Sequence, residues 1–120
     1  MVRLLLDEQM PRRLRSVIPN HTVRTVRDMG WSGLKNGALL RQAESEFDVF
    51  VTMDRGIPFQ QAIRSLKLGV LLVRARSNSF SVLAPHATRI GQTASTVTPG
   101  RVVELELPTS PGPDAGSPSA

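Results

Sequence analysis

The sequence predicts a single α/β domain of three layers, a mostly parallel central sheet with helices on both faces. Three observations lead there. Short β-like and helix-like patterns alternate along the chain in the order βαβαβαβαβ, which favours parallel strands joined by crossover helices. Several of the strand-like runs are apolar without interruption, as strands covered on both faces are. The chain has 120 residues, one ordinary domain's worth.

The elements follow in order. Val2–Leu6 is an apolar run read as the first strand. Pro11 suits the first turn of a helix whose apolar side is Leu14, Val17 and Ile18. His21–Val26 alternates, with Val23 and Thr25 opposite Arg24, and is the second strand. Gly30, Gly33 and Gly37 mark Met29–Gly37 as a loop. Asn36 is placed to cap a helix running to about Glu46, with Leu39 or Leu40, Ala43 and Phe47 at helical spacing. Asp48–Thr52 is the third strand. Pro58 opens a short helix carrying Phe59, Ile63 and Leu66, and Gly69–Val73 is the fourth strand. A helix from about Ser81 uses Leu83, Ala87, Ile90 and Ala94, with Pro85 tolerated in its first turn. After the Pro99-Gly100 turn, Arg101–Leu107 sets Val103, Leu105 and Leu107 against Glu104 and Glu106, an edge-type strand with one wet face. Residues 1–107 form the expected domain. Residues 108–120 hold four of the nine prolines and no large apolar side chain, and are expected to be disordered.

Composition removes several chemistries. With no cysteine, disulfides, zinc ribbons, iron–sulfur clusters and thiol nucleophiles are excluded. No run reaches the 18 or so apolar residues of a membrane helix, and Met1–Asp7 turns acidic too soon for an export signal. The expected compartment is the cytoplasm. Fifteen Lys and Arg against ten Asp and Glu give a net charge of +5, and setting aside Asp114 of the tail raises it to +6. A basic balance suits a polyanion, and it also suits plain solubility. Aromatics are only 4% of the chain, too few to expect a base-stacking platform.

In open α/β sheets ligands bind beyond the carboxyl ends of the strands. Asp7 and Glu8 follow the first strand directly, and Asp54 follows the third. Clustered carboxylates repel and call for a cation or a proton. Oxygen donors of this kind suit Mg²⁺ or Mn²⁺, which activate water and steady a phosphoryl displacement. The competing reading makes each acid a cap or a loop ion-pair partner. Arg12, Arg13 and Arg15 read either as a phosphate track beside Asp7 or as the solvated side of the first helix. His21 and His86 lack ligand spacing and are expected to be surface or packing residues. There is no phosphate-cradling glycine loop and no serine elbow.

Three ordered blocks resemble a known family. Leu5-Leu6-Asp7-Glu8-Gln9-Met10-Pro11 resembles its LLDENLP opening. Met29-Gly30-Trp31-Ser32-Gly33-Leu34-Lys35-Asn36-Gly37 is similar to its MGW-x-G-x-KNG segment. Phe47-Asp48-Val49-Phe50-Val51-Thr52-Met53-Asp54-Arg55 is similar to its FDVF-x-T-x-DR segment. The family is that of short PIN-like proteins, related to PIN-domain toxin ribonucleases. The resemblance implies a PIN-like α/β fold and a Mg²⁺- or Mn²⁺-dependent endoribonuclease, the toxin of a toxin–antitoxin pair. It makes Asp7 and Asp54 catalytic metal ligands, with Glu8 beside them. Arg55 and Lys35 match motif positions and become RNA contacts, with Asn36 and Thr52 as supporting residues. On the phosphate-track reading of the first turn, Arg12 and Arg13 join them. The expected partners are RNA, an antitoxin protein and a second copy of the chain, with no membrane. Three positions depart from the pattern: Gln9 and Gly56 stand where asparagine is usual, and Ala38 where glutamate is usual. Glu44 or Glu46 is the candidate replacement for that acid, and without one the module binds RNA or a protein partner without cutting. A phosphoacceptor receiver is the third pattern considered. It needs a hydroxyl residue after the fourth strand and a lysine after the fifth, whereas Arg74-Ala75-Arg76 follow the fourth and no lysine follows Lys67.

Overall fold

The computed structural model describes residues 2–57 and 61–108. Five strands, β1 (Arg3–Leu6), β2 (Thr22–Thr25), β3 (Val49–Thr52), β4 (Gly69–Arg74) and β5 (Val102–Glu106), form one sheet in the order β2-β1-β3-β4-β5. Every pairing is parallel. The strands are short, and the three central ones, β1, β3 and β4, are buried through their middles because both faces are covered. Leu4 and Leu6 point to one side and Leu5 to the other, and all three are inaccessible to solvent.

The helices divide between the two faces. α1 (Asn36–Ala43) lays Leu39, Leu40 and Ala43 on Leu5, Phe50 and Val70, and Ile63 and Leu66 join them from around a 3-10 turn at Gln61–Ser65. Opposite, α2 (Phe80–Leu83) and α3 (Ala87–Ala94) bring Leu83, Ala87, Ile90 and Ala94 onto Leu4, Leu6, Val51 and Leu71. The three-layer α/β/α arrangement is the one the alternating pattern predicts, with the sheet wholly parallel. β5 keeps the expected split, Leu105 and Leu107 buried and Glu104 and Glu106 exposed. Among the described residues no helix is long and apolar enough to cross a membrane.

The helical segments differ more from expectation. The first is only a 3-10 turn, Arg12–Ser16, with Pro11 at its cap rather than inside it. Pro19 biases Ile18 away from helical backbone, so too few residues lie between the two prolines to nucleate an α-helix. Leu14 and Ile18 are buried as expected, while Val17 is 40% exposed. α1 begins at Asn36 itself, with Lys35 in the cap position, and stops at Ala43 instead of near Glu46. The last helix starts at Phe80, one residue early, which moves Pro85 out of the first turn. Its missing N–H then splits the segment, leaving a 3-10 turn at Ala84–His86 between α2 and α3. The expected helix start at Pro58 and Phe59, and all but Pro108 of the expected tail, lie outside the described residues.

Gly69 opens β4 against the turn that precedes β5. A Cβ there would stand 2.5 Å from Val97 Cγ1 and 2.9 Å from the Thr98 carbonyl oxygen. Gly69→Ala is therefore expected to destabilise the fold by about 1–3 kcal/mol. In α1, a Cβ at Gly37 meets nothing nearer than the Arg41 guanidinium at 3.7 Å. Gly37→Ala is expected to be neutral or to stabilise by up to about 1 kcal/mol. Urea-unfolding midpoints at constant slope compare the two directly.

Candidate functional site

The order β2-β1-β3 makes the carboxyl ends of β1 and β3 the topological switch point, where the chain leaves two adjacent strands toward opposite edges and a crevice opens. Asp7 stands at the end of β1. Its amide donates to the Val51 carbonyl at 2.9 Å, and its carbonyl accepts from the Met10 amide at 3.0 Å, so the chain turns at once. The carboxylate is held on both oxygens. The Thr52 hydroxyl donates to Oδ2 at 2.6 Å and the Glu8 amide to Oδ1 at 2.8 Å.

Thr52 is the last residue of β3 and is fully buried. Its Oγ1 also accepts from the Asp54 amide at 3.0 Å. Asp54 in turn accepts the Gly56 amide at 2.9 Å on Oδ1, and its carbonyl accepts the Ile57 amide at 3.1 Å. One hydroxyl thus joins the two acidic positions. Gly56 has its own reason here, since a Cβ at that position would lie 3.3 Å from Asp54 Oδ1.

Asp7 is only 9% exposed. Burial pushes its carboxyl above the ordinary value. The Thr52 and Glu8 donors offset part of that rise, and the charges of Asp54 and Glu8 add to it. Beside it an open cavity is lined by Asp7, Glu8, Arg12, Thr25, Arg27 and Ser32, among others. A buried carboxylate, two neighbouring acids and two guanidiniums at a strand-end crevice can attract a cation and a phosphate together.

The structure brings Asp7, Glu8, Thr52 and Asp54 to one place. Arg55 follows Asp54 and is exposed, and Lys35 is exposed just before α1. Asn36 opens that helix. Arg12 donates to Asp28 Oδ1 at 2.9 Å while remaining 55% exposed. Arg13 lies over the Phe80 ring, 4.1 Å from its centroid. His21 is a packing residue: Nδ1 accepts from the Val2 amide at 3.0 Å, and Nε2–H donates to the Gly91 carbonyl at 2.9 Å.

The acid sought in α1 is not supplied from further along. Glu44 Oε1 accepts from the Lys67 amide at 2.9 Å, at the approach to β4. Both it and Glu46 precede β3, so they belong to the amino-terminal edge of the sheet, opposite Asp7. Ala38 is exposed in the first turn of α1. Among the described residues no three His, Cys, Asp or Glu side chains converge to hold a metal ion.

Asp28 is the residue that sequence reasoning missed. Its Oδ2 accepts from the Thr25 amide at 2.9 Å while Thr25 Oγ1 accepts from the Asp28 amide at 3.0 Å. Arg12 and Arg15 both donate to its Oδ1. Burial works against its ionisation, but the Thr25 amide, Arg15, the Thr25 hydroxyl and Arg12 together hold the carboxyl far below the ordinary value. The Thr-x-x-Asp spacing was the available signal, since it is that of a reciprocal capping box.

Because the folded pKa of Asp7 is raised, folding binds a proton and stability falls as pH rises above the unfolded value of 3.8. In metal-free buffer Asp7→Asn is expected to be more stable than wild type at pH 7, and the gain should vanish below pH 3.8, where Asp7 is neutral in both states. Urea unfolding across that range measures the difference. Thr52→Val strips Asp7 of a donor and the Asp54 amide of its acceptor. It should cost about 1–3 kcal/mol in the same assay.

No family model, curated protein or solved structure matches the chain, so what this site does has to be read from its own residues.

Proposed function

We propose that the protein is a Mg²⁺- or Mn²⁺-dependent ribonuclease of PIN-like type that hydrolyses RNA phosphodiesters at the crevice between β1 and β3. The observation that carries this reading is the pairing of Asp7 and Asp54 through the Thr52 hydroxyl, with Arg12 and Arg27 at or near the same opening. Burial raises the Asp7 carboxyl, and the charges of Asp54 and Glu8 add to that rise. Each of its oxygens accepts one hydrogen bond and keeps a lone pair. That donor set fits a divalent ion held through one or two carboxylates, with water and phosphate oxygens completing its shell, and needs no third acidic side chain.

Asp7 and Asp54 would hold the ion. When bound, it supplies charge neutralisation at the phosphodiester and activation of water for in-line attack. The chain's own contribution is positional. Thr52 and the Glu8 amide fix the Asp7 carboxylate, and the Gly56 amide turns the Asp54 carboxylate. Arg27 and the exposed part of Arg12 neutralise phosphate at the cavity mouth. A cytoplasmic location and an antitoxin partner go with this reading.

A second reading has its own support. Ala38 stands where an acid is expected, and Glu44 is tied down at the opposite edge. On that reading the same surface binds RNA or a protein partner without cutting. Cleavage of a labelled RNA with and without Mn²⁺ separates the two. The ribonuclease reading expects Mn²⁺-dependent turnover that falls by roughly 100-fold or more in both Asp7→Asn and Asp54→Asn, beyond the loss typical of residues that merely support a ligand. Cleavage unchanged in both variants sinks it. RNA binding that chelator leaves untouched, with no turnover, establishes the second reading.

A further inference from the structure

A second cavity, basic in balance, lies on the other side of β3 from Asp7. It is lined by Arg55, Arg74, Arg76 and Glu106, together with Ala75 and Leu107, and encloses about 180 Å³ at the carboxyl ends of β3, β4 and β5. The three arginines reach it for different reasons. Arg55 follows Asp54 in the loop after β3. Arg74 ends β4 on the face of Val70 and Leu72, where its guanidinium donates to Glu104 at 2.9 Å. Arg76 lies just beyond, exposed. Among the described residues Arg55 and Arg76 form no ion pair with a carboxylate. Glu106 faces Arg74 in the strand register, and its charge acts on Arg74. Three guanidiniums against this one lining carboxylate leave the cavity net positive, and Arg55 and Arg76 have no carboxylate partner among the described residues.

We propose that Arg55 and Arg76, with Arg74 held beside them by Glu104, form a phosphate-binding subsite for a single-stranded RNA that also lies across Asp7 and Asp54. The sheet order supports a strand over a small anion. The Arg12 and Arg27 cavity is on the β2 side of the switch point, and the Arg55 and Arg76 cavity is on the β4 and β5 side. Strands lie about 4.8 Å apart, so the middles of the two cavities, one at the ends of β1 and β2 and the other at the ends of β3 to β5, are roughly 12 Å apart. A strand several nucleotides long can place a phosphate in each. No aromatic ring among the described residues lines the second cavity, so the contacts its arginines offer are to phosphate and carry no base preference. The subsite takes only the identity of the anion, RNA, from the ribonuclease reading, and it requires no metal.

The test is fluorescence anisotropy of a labelled twelve-nucleotide oligouridylate with the full chain in chelator-containing buffer, titrated over salt. Arg55→Ala and Arg76→Ala should each weaken binding by about three- to tenfold and flatten the slope of log K against log salt by about 0.7, the loss of one phosphate contact on a single strand. Glu106→Gln removes a carboxylate from the same cavity and should tighten binding. Arg101→Ala, with the same change of charge at the opposite edge of the sheet, should leave affinity and slope alone. The subsite is overturned if Arg101→Ala weakens binding as much as the other two, or if Arg55→Ala and Arg76→Ala have no effect. It is also overturned if polyglutamate binds with this arginine dependence while the RNA does not. Because no cleavage is read, the subsite and the ribonuclease can fail separately. An inert protein with the expected binding pattern keeps the subsite, and Asp7-dependent cleavage with normal binding by both arginine variants removes it.

Discussion

The pairing of β1 with β3 is the constraint on which the rest of the molecule depends. Leu4, Leu5 and Leu6 lie beside Val49, Phe50 and Val51 in register, and none of the six is more than 1% exposed. Both faces of this pair are covered by helical segments, so the two strands can end only by delivering their next residues to the open carboxyl edge. From there the chain departs toward β2 on one side and β4 on the other. The crevice this leaves is a consequence of topology and not of any one side chain. What the side chains decide is its charge, and Asp7 and Asp54 make it acidic.

An acidic crevice at the end of a buried sheet is a stability problem, and Thr52 is the local answer. Its hydroxyl gives a hydrogen bond to Asp7 and receives one from the amide of Asp54, satisfying two polar groups where water has little access. The offset is incomplete, since the Asp7 carboxyl is still displaced upward by burial and by its acidic neighbours. Asp28 shows the contrary case within the same chain. Its side chain too is largely covered, within a half-buried residue, yet two guanidiniums and a reciprocal bond with Thr25 more than compensate. The fold can evidently neutralise an aspartate fully where an arginine is close at hand. It does so at Asp28 and not at Asp7, and the proposed function takes that contrast as the mark of a ligand site.

Strands and site were more legible in the sequence than helices. Apolar runs this short, set between turn signals, fit strands covered on both faces, so Leu4–Leu6 and Val49–Val51 were readable as strands and the acids that follow them could be placed at their ends. Helices here are too short to declare themselves by period. Pro11 and Pro19 confine one segment to a 3-10 turn, and Pro85 divides another, because the amide it lacks is the one that would bond the Ser81 carbonyl and carry the helix on. Side-chain partnerships were the least legible. Arg12, Arg13 and Arg15 look alike in sequence, but which of them meets Asp28 and which meets Phe80 depends on chain segments that only the tertiary fold brings alongside.

Those partnerships change what the basic composition means. A net charge of +5 distributed evenly would support nothing beyond solubility. In the folded chain, Arg12 and Arg15 are bound to Asp28, Arg13 to Phe80, Arg3 to Asp48 and Arg74 to Glu104. The most conspicuous cluster in the sequence is thus largely committed to holding the loops around the crevice in place. Arg27, Arg55 and Arg76 form no ion pair with a carboxylate among the described residues, and all three line cavities that open at the carboxyl edge. Internal pairing removes positive charge from the arginine-rich turn, while Arg27 on one side and Arg55 and Arg76 on the other keep theirs near Asp7 and Asp54. On the proposed reading, a polyanion would meet these arginines beside the acidic pair, whose mutual repulsion a divalent cation would relieve.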